Sequence, residues 1–365
     1  MIQIDFERLR GLGLTPALAQ SATLAGEPDD PLSVDDLQLM RLTEVHRETV
    51  CVHDGEHEHG VRVLPRLLRE LVAADTALAV GDWVLCGTDA YGDYRVHARV
   101  PPLASICRRD ADGRRHPVVS NVDTALLVMG LDDDFNPRRL ERYLALVQAS
   151  GVLPVVVLTK ADVAAHTPGL IEARIEALRG RVPAHVELLA VDGTDPATAQ
   201  RLSPWLAPGQ TVVVLGSSGA GKSTLTNNLL GTEVQDTGVV RAHDSRGKHT
   251  TTSRSLHRLP GGACVIDTPG LRTLRPDADE ATLTAVFEDV QALAAQCRFR
   301  DCRHGDEPGC AVRDGIDADR LRNFHKLLRE ARRDTLSMLE KQQQMAVWKQ
   351  RGKAARVRAK FERGE

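Results

Sequence analysis

Between residues 118 and 275 the apolar positions alternate between two periods. Val122–Met129, Val155–Leu158, Val186–Val191 and Thr211–Leu215 are apolar runs of strand length. Between them, Leu140, Tyr143, Leu144 and Val147 recur at helical spacing, and Leu170–Leu178 and Lys222–Leu230 read as further helices. Gly151 and Gly231 stand where two of these helices should stop. The alternation predicts a parallel sheet covered by helices. Residues 43–103 carry another pattern, with strand-like runs at Thr43–Val52, Gly60–Leu64, Leu78–Cys86 and Tyr94–Val100 and glycines in or between them. Several short strands in so few residues predict a small barrel of the OB type. After about residue 280 the chain reads helical, apart from a Cys/His/Gly/Pro insert at 297–310. The expected division is a leader at 1–42, a barrel at 43–103, an α/β domain at 104–280, a helical unit at 281–335 and a basic tail at 336–365.

Composition changes this picture little. A chain of 365 residues suits two or three domains and buries enough core to need no disulfides. Its longest apolar runs fall far short of the roughly 18 residues of a membrane helix. Acids appear early, at Asp5 and Glu7, and no secretory apolar block is present, so a soluble intracellular protein is expected. Seven cysteines, an odd number, argue against an oxidised scaffold. The net charge of −3 is uninformative, but its distribution is not. From Lys341 onward eight basic residues face two acids, a net +6 on a body of about −9. A basic arm on an acidic body fits an anionic polymer such as RNA, and equally a solvated terminal helix.

The chemistry concentrates first at Gly216-Ser217-Ser218-Gly219-Ala220-Gly221-Lys222-Ser223, which has phosphate-loop spacing between an apolar strand and a helix. Its glycines let backbone N–H groups turn inward on phosphates, and the helix N-terminus adds a favourable dipole. Lys222 is expected at the β- and γ-phosphates, Ser223 on Mg²⁺ and Thr224 near the α-phosphate. Downstream, Asp267-Thr268-Pro269-Gly270 offers a carboxylate for Mg²⁺ through water and an N–H for the γ-phosphate. Between them Thr250 or Thr251, in the run Gly247–Thr252, is placed to complete the Mg²⁺ shell. The chain therefore reads as a nucleoside triphosphate binder.

Upstream, Thr159-Lys160-Ala161-Asp162 closes an apolar strand and is similar to the Asn-Lys-x-Asp element that reads guanine. A carboxylate at Asp162 accepts from guanine N1–H and N2–H₂, whereas adenine would leave it unpaired at a cost of about 1–3 kcal/mol. Thr159 replaces the usual Asn and removes a bracing amide, so ATP remains open from the residues alone. Ala190–Gly193 is a weaker candidate for the contact to guanine O6. The order of these parts is unusual, because Asp162 comes before the phosphate loop and Asp267 comes last. A sheet of this kind can be cut at another loop and rejoined when its termini lie close together.

With the barrel-like segment before and a Cys/His cluster after, this order resembles the RsgA (YjeQ-type) small ribosomal subunit biogenesis GTPases of bacteria, over about residues 43–330. The resemblance implies an OB-like barrel, a circularly permuted P-loop GTPase domain and a C-terminal helical zinc-binding domain. It also implies GTP hydrolysis to GDP, with Mg²⁺, as a switch in late maturation of the small (30S) subunit, stimulated by the subunit. The implied partners are that subunit and its 16S rRNA, in the cytoplasm, with no membrane; a monomer suffices. Leu271 follows Gly270 where many GTPases place a water-orienting Gln, so slow unstimulated turnover is expected, with His249 the candidate to position water. Against this enzyme stands an RNA-binding assembly factor in which nucleotide merely gates affinity.

Cys297, Cys302, His304 and Cys310 supply three thiolates and an imidazole, the donor set of a closed structural Zn²⁺ site, with chance thiols as the alternative. The same ligands occur in the resembling family. His53, His57 and His59, among Asp54, Glu56 and Glu58, read as an exposed hairpin tip rather than a metal site. The segment 43–103 holds six basic and ten acidic residues and few aromatics, so RNA contact there rests on the resemblance and on Arg108, Arg109, Arg114 and Arg115.

Overall fold

Five strands close on themselves between residues 37 and 99. In spatial order they are Leu37–Val45, Val50–His53, Glu58–Val63, Tyr94–Arg99 and Trp83–Thr88, and the last pairs back onto the first. Closure leaves the barrel no free edge. The computed structural model describes residues 2–25, 37–46, 49–89, 91–110, 113–231, 254–270 and 275–335. The basic tail therefore lies outside the described residues.

The first barrel strand starts at Leu37, six residues ahead of the apolar run at Thr43. Arg41 hides it in the sequence, because a charged residue in mid-strand reads as solvent-facing. Here the Arg41 side chain is fully buried. Its guanidinium lies 5.3 Å from the Trp83 ring centroid and donates to Thr211 Oγ1 at 3.1 Å, to the Asn121 carbonyl at 2.8 Å and to the Leu12 carbonyl. One side chain thus ties the leader, the barrel and the central sheet. The leader itself is packed: Ile2–Gln3 pairs parallel to Leu37–Gln38, and Leu9, Leu12, Leu14, Leu18 and Ala22 enter the main core.

The second half of the sheet runs Glu187–Ala190, Leu153–Thr159, Thr124–Gly130, Thr211–Gly216, Cys264–Asp267, all parallel. Ser255–Arg258 adds an antiparallel strand, and Ser255 pairs with Glu44 to join the barrel. Strand alternation sorts the core into two faces. Val212 and Val214 pack in one cluster with Leu225 and Leu229 of the helix Lys222–Leu230, while Val213 and Leu215 belong to the other with Leu140 and Leu144 of the helix Pro137–Gln148. The predicted α/β alternation is thus present, with the helix Lys222–Leu230 ending as predicted and the other element ends shifted by at most three residues.

The hairpin Ser105–Arg109/Arg115–Ser120 leads into this sheet. Arg109 and Arg115 both pair with Asp277 at 2.7 Å, so two of the four arginines considered for RNA are engaged within the fold. Beyond residue 280 come the helices Glu280–Val286, Glu288–Ala294, Ala311–Gly315 and Ala318–Thr335. The last packs on Pro137–Gln148 through a buried ionic network. Glu141, 1% exposed, accepts from Arg320 Nη1 at 2.8 Å, Arg181 Nη1 at 3.2 Å and the Asn323 amide. Arg320 also forks onto Asp289 at 2.6 and 2.7 Å. Among the described residues no helix is long and apolar enough to cross a membrane.

Candidate functional site

The carboxyl ends of the parallel strands carry the candidate site, as open α/β sheets dictate. Thr211–Gly216 runs into the loop Ser217–Gly221, and the helix begins at Lys222. Gly221 has φ +87°, and a Cβ there would come within 3.2 Å of Thr159 Oγ1. Lys222 folds back over the loop and donates to the Ser217 carbonyl at 2.7 Å. Burial pushes its pKa down, while the nearby carboxylates of Asp267 and Asp134 pull it back up. Ser223 and Thr224 follow in the first helical turn.

Asp267 is fully buried at the end of the neighbouring strand, where its Oδ1 accepts the Thr268 N–H at 2.9 Å. The Thr268 hydroxyl donates to the Val214 carbonyl at 2.7 Å, which fixes the turn against the strand feeding the phosphate loop. Gly270 then presses on the loop: a Cβ there would lie 2.5 Å from the Ser218 nitrogen. Only glycine permits that approach. Ser223 and Asp267 are both oxygen donors, the kind a small hard cation such as Mg²⁺ takes.

At the other end stands Thr159, which is 1% exposed. Its hydroxyl donates to the Ala220 carbonyl, inside the phosphate loop, at 2.6 Å. The brace expected to vanish with the missing Asn is present in another form. Lys160 takes a left-handed conformation (φ +61°) and its Nζ pairs with Asp132 at 2.6 Å. The Ala161 N–H bonds the Val191 carbonyl at 3.1 Å, and exposed Asp162 sits in the first turn of the short helix Ala161–Ala164. Asn228 draws in the remaining loop, donating to the carbonyls of Gly193 at 3.0 Å and Asp195 at 2.7 Å.

Residues 159–162, 190–193, 216–224 and 267–270 thus converge from distant positions. His249, Thr250, Thr251 and Leu271 lie outside the described residues. Sequence reasoning overlooked Asp132 and Asp134, which touch Lys160 and Ser217. Their signal was an acidic cluster just past a strand end on the carboxyl edge.

The second candidate centre is in the helical unit. The donor atoms of Cys297, Cys302, His304 and Cys310 all lie within 4.8 Å of one another. His304 Nδ1 is 3.6 Å from the Sγ atoms of both Cys297 and Cys310, which are 4.0 Å apart. Tetrahedral zinc, with bonds of about 2.0–2.3 Å, spaces its ligands by about 3.3–3.8 Å, so the set fits with slight contraction. The Val312 N–H, aimed at the Cys297 thiol, holds its pKa below the usual value against the opposing effect of burial. The Arg313 N–H donates to Cys310 Sγ at 3.3 Å. The Val312 donor thus favours the Cys297 thiolate.

The histidines at 53–59 form a hairpin tip. Asp54 accepts from the Glu56 N–H at 2.8 Å, the His57 N–H at 2.7 Å and His59 Nε2 at 2.8 Å. Glu44, His46 and Cys51, on the preceding hairpin, are also close enough to share a cation, but the Glu44–His46 pair at 2.9 Å and the strand pairing of Glu44 with Cys51 account for their proximity.

Comparison with known proteins agrees with this geometry. The sequence model of a family described as RsgA GTPase matches residues 100–276. The Small ribosomal subunit biogenesis GTPase RsgA of Xanthomonas oryzae pv. oryzae (strain MAFF 311018) is 46% identical over 323 residues, covering 86% of this chain and 85% of that protein. Among solved structures, YjeQ from Thermotoga maritima has a TM-score of 0.56 at 21% identity, covering 80% of this chain and 98% of that one. YloQ, titled a circularly permuted GTPase, has a TM-score of 0.55 at 21% identity, covering 84% and 99%. These two structures share the fold.

Proposed function

The chain belongs to the RsgA GTPase family, and from that membership we propose that it hydrolyses GTP to GDP and phosphate as a switch in late maturation of the small ribosomal subunit, stimulated by that subunit. The observation that carries the reading is the Thr159–Ala220 hydrogen bond, 61 residues apart in sequence. It joins the base-reading and phosphate-cradling elements, so one nucleotide can span both.

In this reading the backbone N–H groups of 217–223 cradle the β-phosphate, and the Lys222 ammonium leaves the Ser217 carbonyl for the β- and γ-phosphates. The Gly270 N–H meets the γ-phosphate beside Ser218, where the close approach leaves no room for a side chain at 270. Mg²⁺, when bound, neutralises charge developing on the phosphate oxygens; Ser223 would hold it directly and Asp267 through water, with Thr250 or Thr251 completing the shell. Asp162 accepts from guanine N1–H and N2–H₂, and the Lys160 stem lies along the base. His249 positions the attacking water in the subunit-stimulated reaction, in place of the Gln that many GTPases carry where Leu271 stands.

The Cys297/Cys302/His304/Cys310 set would hold one structural Zn²⁺. A purely structural ion closes the insert and takes no part in the reaction. The partners are the small subunit and its 16S rRNA, the protein acts as a monomer, and the location is the cytoplasm.

The test is turnover of the purified protein titrated with small subunits. Slow basal hydrolysis should rise steeply and saturate near one protein per subunit. A flat titration overturns the reading. Asp162→Asn should weaken GTP while leaving ATP binding, already poor, unchanged.

A further inference from the structure

The strand Thr124–Gly130 ends between the strand that carries Thr159 and the strand that carries Gly216. The chain then turns through Asp132, Asp133 and Asp134 before the helix Pro137–Gln148. Asp132 Oδ2 takes the Lys160 ammonium at 2.6 Å, and the Asp132 carbonyl accepts from Arg174 Nη1 at 2.8 Å. Asp134 Oδ1 accepts the Ser217 hydroxyl at 2.6 Å and Arg139 Nη2 at 2.6 Å, while its Oδ2 accepts the Gly130 N–H at 3.2 Å. The two acids are themselves linked, Asp134 N–H to Asp132 Oδ1 at 3.2 Å. One short loop therefore grips both ends of the nucleotide site.

We propose that Asp134 is a positioning residue for the phosphate loop, and that with Asp132 it makes the loop 131–136 a crossbar setting the spacing of base and phosphate subsites. This rests on the guanine-nucleotide reading above. Ser217 is held twice, its carbonyl by Lys222 and its hydroxyl by Asp134. When the ammonium moves to a bound phosphate, Asp134 is the tie that remains. A hydroxyl bonded to a carboxylate makes a short, charge-assisted bond, suited to that task.

A carboxylate so near a polyphosphate would repel it if left bare. Arg139, paired with the same Oδ1, cancels that charge. Loss of the Asp134 tie leaves the loop held at Ala220 by Thr159 but released at Ser217, so that its first half samples closed forms. The nucleotide then binds only the open fraction, and affinity falls by that fraction.

The experiment is a double-mutant cycle on the zinc-loaded full chain, reading GDP affinity with a fluorescent GDP analogue and checking the fold by its melting profile. Asp134→Ala and Ser217→Ala should each weaken GDP about tenfold, and the double variant should be no worse than either alone, because both remove one bond. Asp134→Asn keeps an acceptor and should restore most of the affinity. In turnover Asp134→Ala should raise KM for GTP far more than it lowers kcat, and Arg139→Ala should weaken GTP more than GDP. Unchanged affinity in Asp134→Ala, or losses that add in the double variant, would overturn the proposal. If Asp134→Ala does not fold, Ser217→Ala carries the test, since it removes the donor of the same bond, and unchanged GDP affinity in that folded variant is equally fatal. A wild-type chain that binds no GDP would instead sink the underlying reading, which separates the two failures.

Discussion

Thr159 shows what a single side chain decides. Its hydroxyl is the donor for a carbonyl inside the phosphate loop, and both lie away from water. Thr159→Val keeps the shape and removes the donor, which leaves the Ala220 carbonyl unpaired at a cost of about 1–3 kcal/mol. GDP affinity should fall roughly 5- to 150-fold, measured by equilibrium titration, while Thr159→Ser stays near wild type. A Val variant that binds normally would mean the bond contributes nothing to the site. In the sequence this position read as a loss, because a string of residues shows that Asn is missing but not that a shorter side chain has been brought within reach. Arg41 was illegible for a related reason. Its charge suggested solvent, whereas the acceptors that let it be buried come from Leu12, Asn121 and Thr211, far apart in the chain.

At the scale of elements, the helix Pro137–Gln148 was visible in its apolar spacing, but its buried acid was not. Glu141 shares that helix's inward side with Leu140 and Leu144 and neutralises Arg320 and Arg181. Removing one member of a buried ionic group leaves the others uncompensated, so Glu141→Ala should destabilise the protein by about 3–5 kcal/mol. Replacing Arg142, whose partner Glu330 is half-buried, should cost less. Denaturant unfolding of both variants checks the ranking, and equal losses would contradict it. The hairpin tip makes a pH prediction. Burial alone would raise the Asp54 pKa, but the His57 N–H, the His59 ring and the Glu56 N–H together bring it from 3.8 to about 2. A depressed carboxylate stabilises the fold above its unfolded pKa and loses that contribution as pH falls through the folded value. The stability difference between wild type and Asp54→Asn should therefore be full above about pH 4 and vanish toward pH 2. A difference that grows on acidification would have the wrong sign.

For the whole molecule, the permuted order was legible because each motif keeps its own spacing wherever the chain is cut. What the sequence could not show is how the helical unit meets the sheet, since Arg138–Asp319, Glu141–Arg320 and Arg142–Glu330 each bridge nearly 180 residues or more. The insert at 297–310 is anchored to that unit through Cys310 at the start of Ala311–Gly315 and through the His325 ring, which donates to the His304 carbonyl at 3.2 Å. Structural zinc in small sites supplies about 10–16 kcal/mol, comparable to the whole stability of a domain at about 5–15 kcal/mol. The insert has few apolar side chains to hold it once the ion is gone. Chelation should therefore unfold it and loosen Ala318–Thr335, while the core of parallel strands, filled by its own valines and leucines, stays closed. Hydrogen exchange on chelated protein should show protection lost across 288–333 and kept across 124–159 and 211–230, with GDP still bound. Cys310→Ser should reproduce that pattern without chelator. Uniform loss across both regions would mean that the ionic seam at Glu141 welds the two units into one cooperative body, and unchanged protection would mean that the four donors hold no metal that matters to the fold.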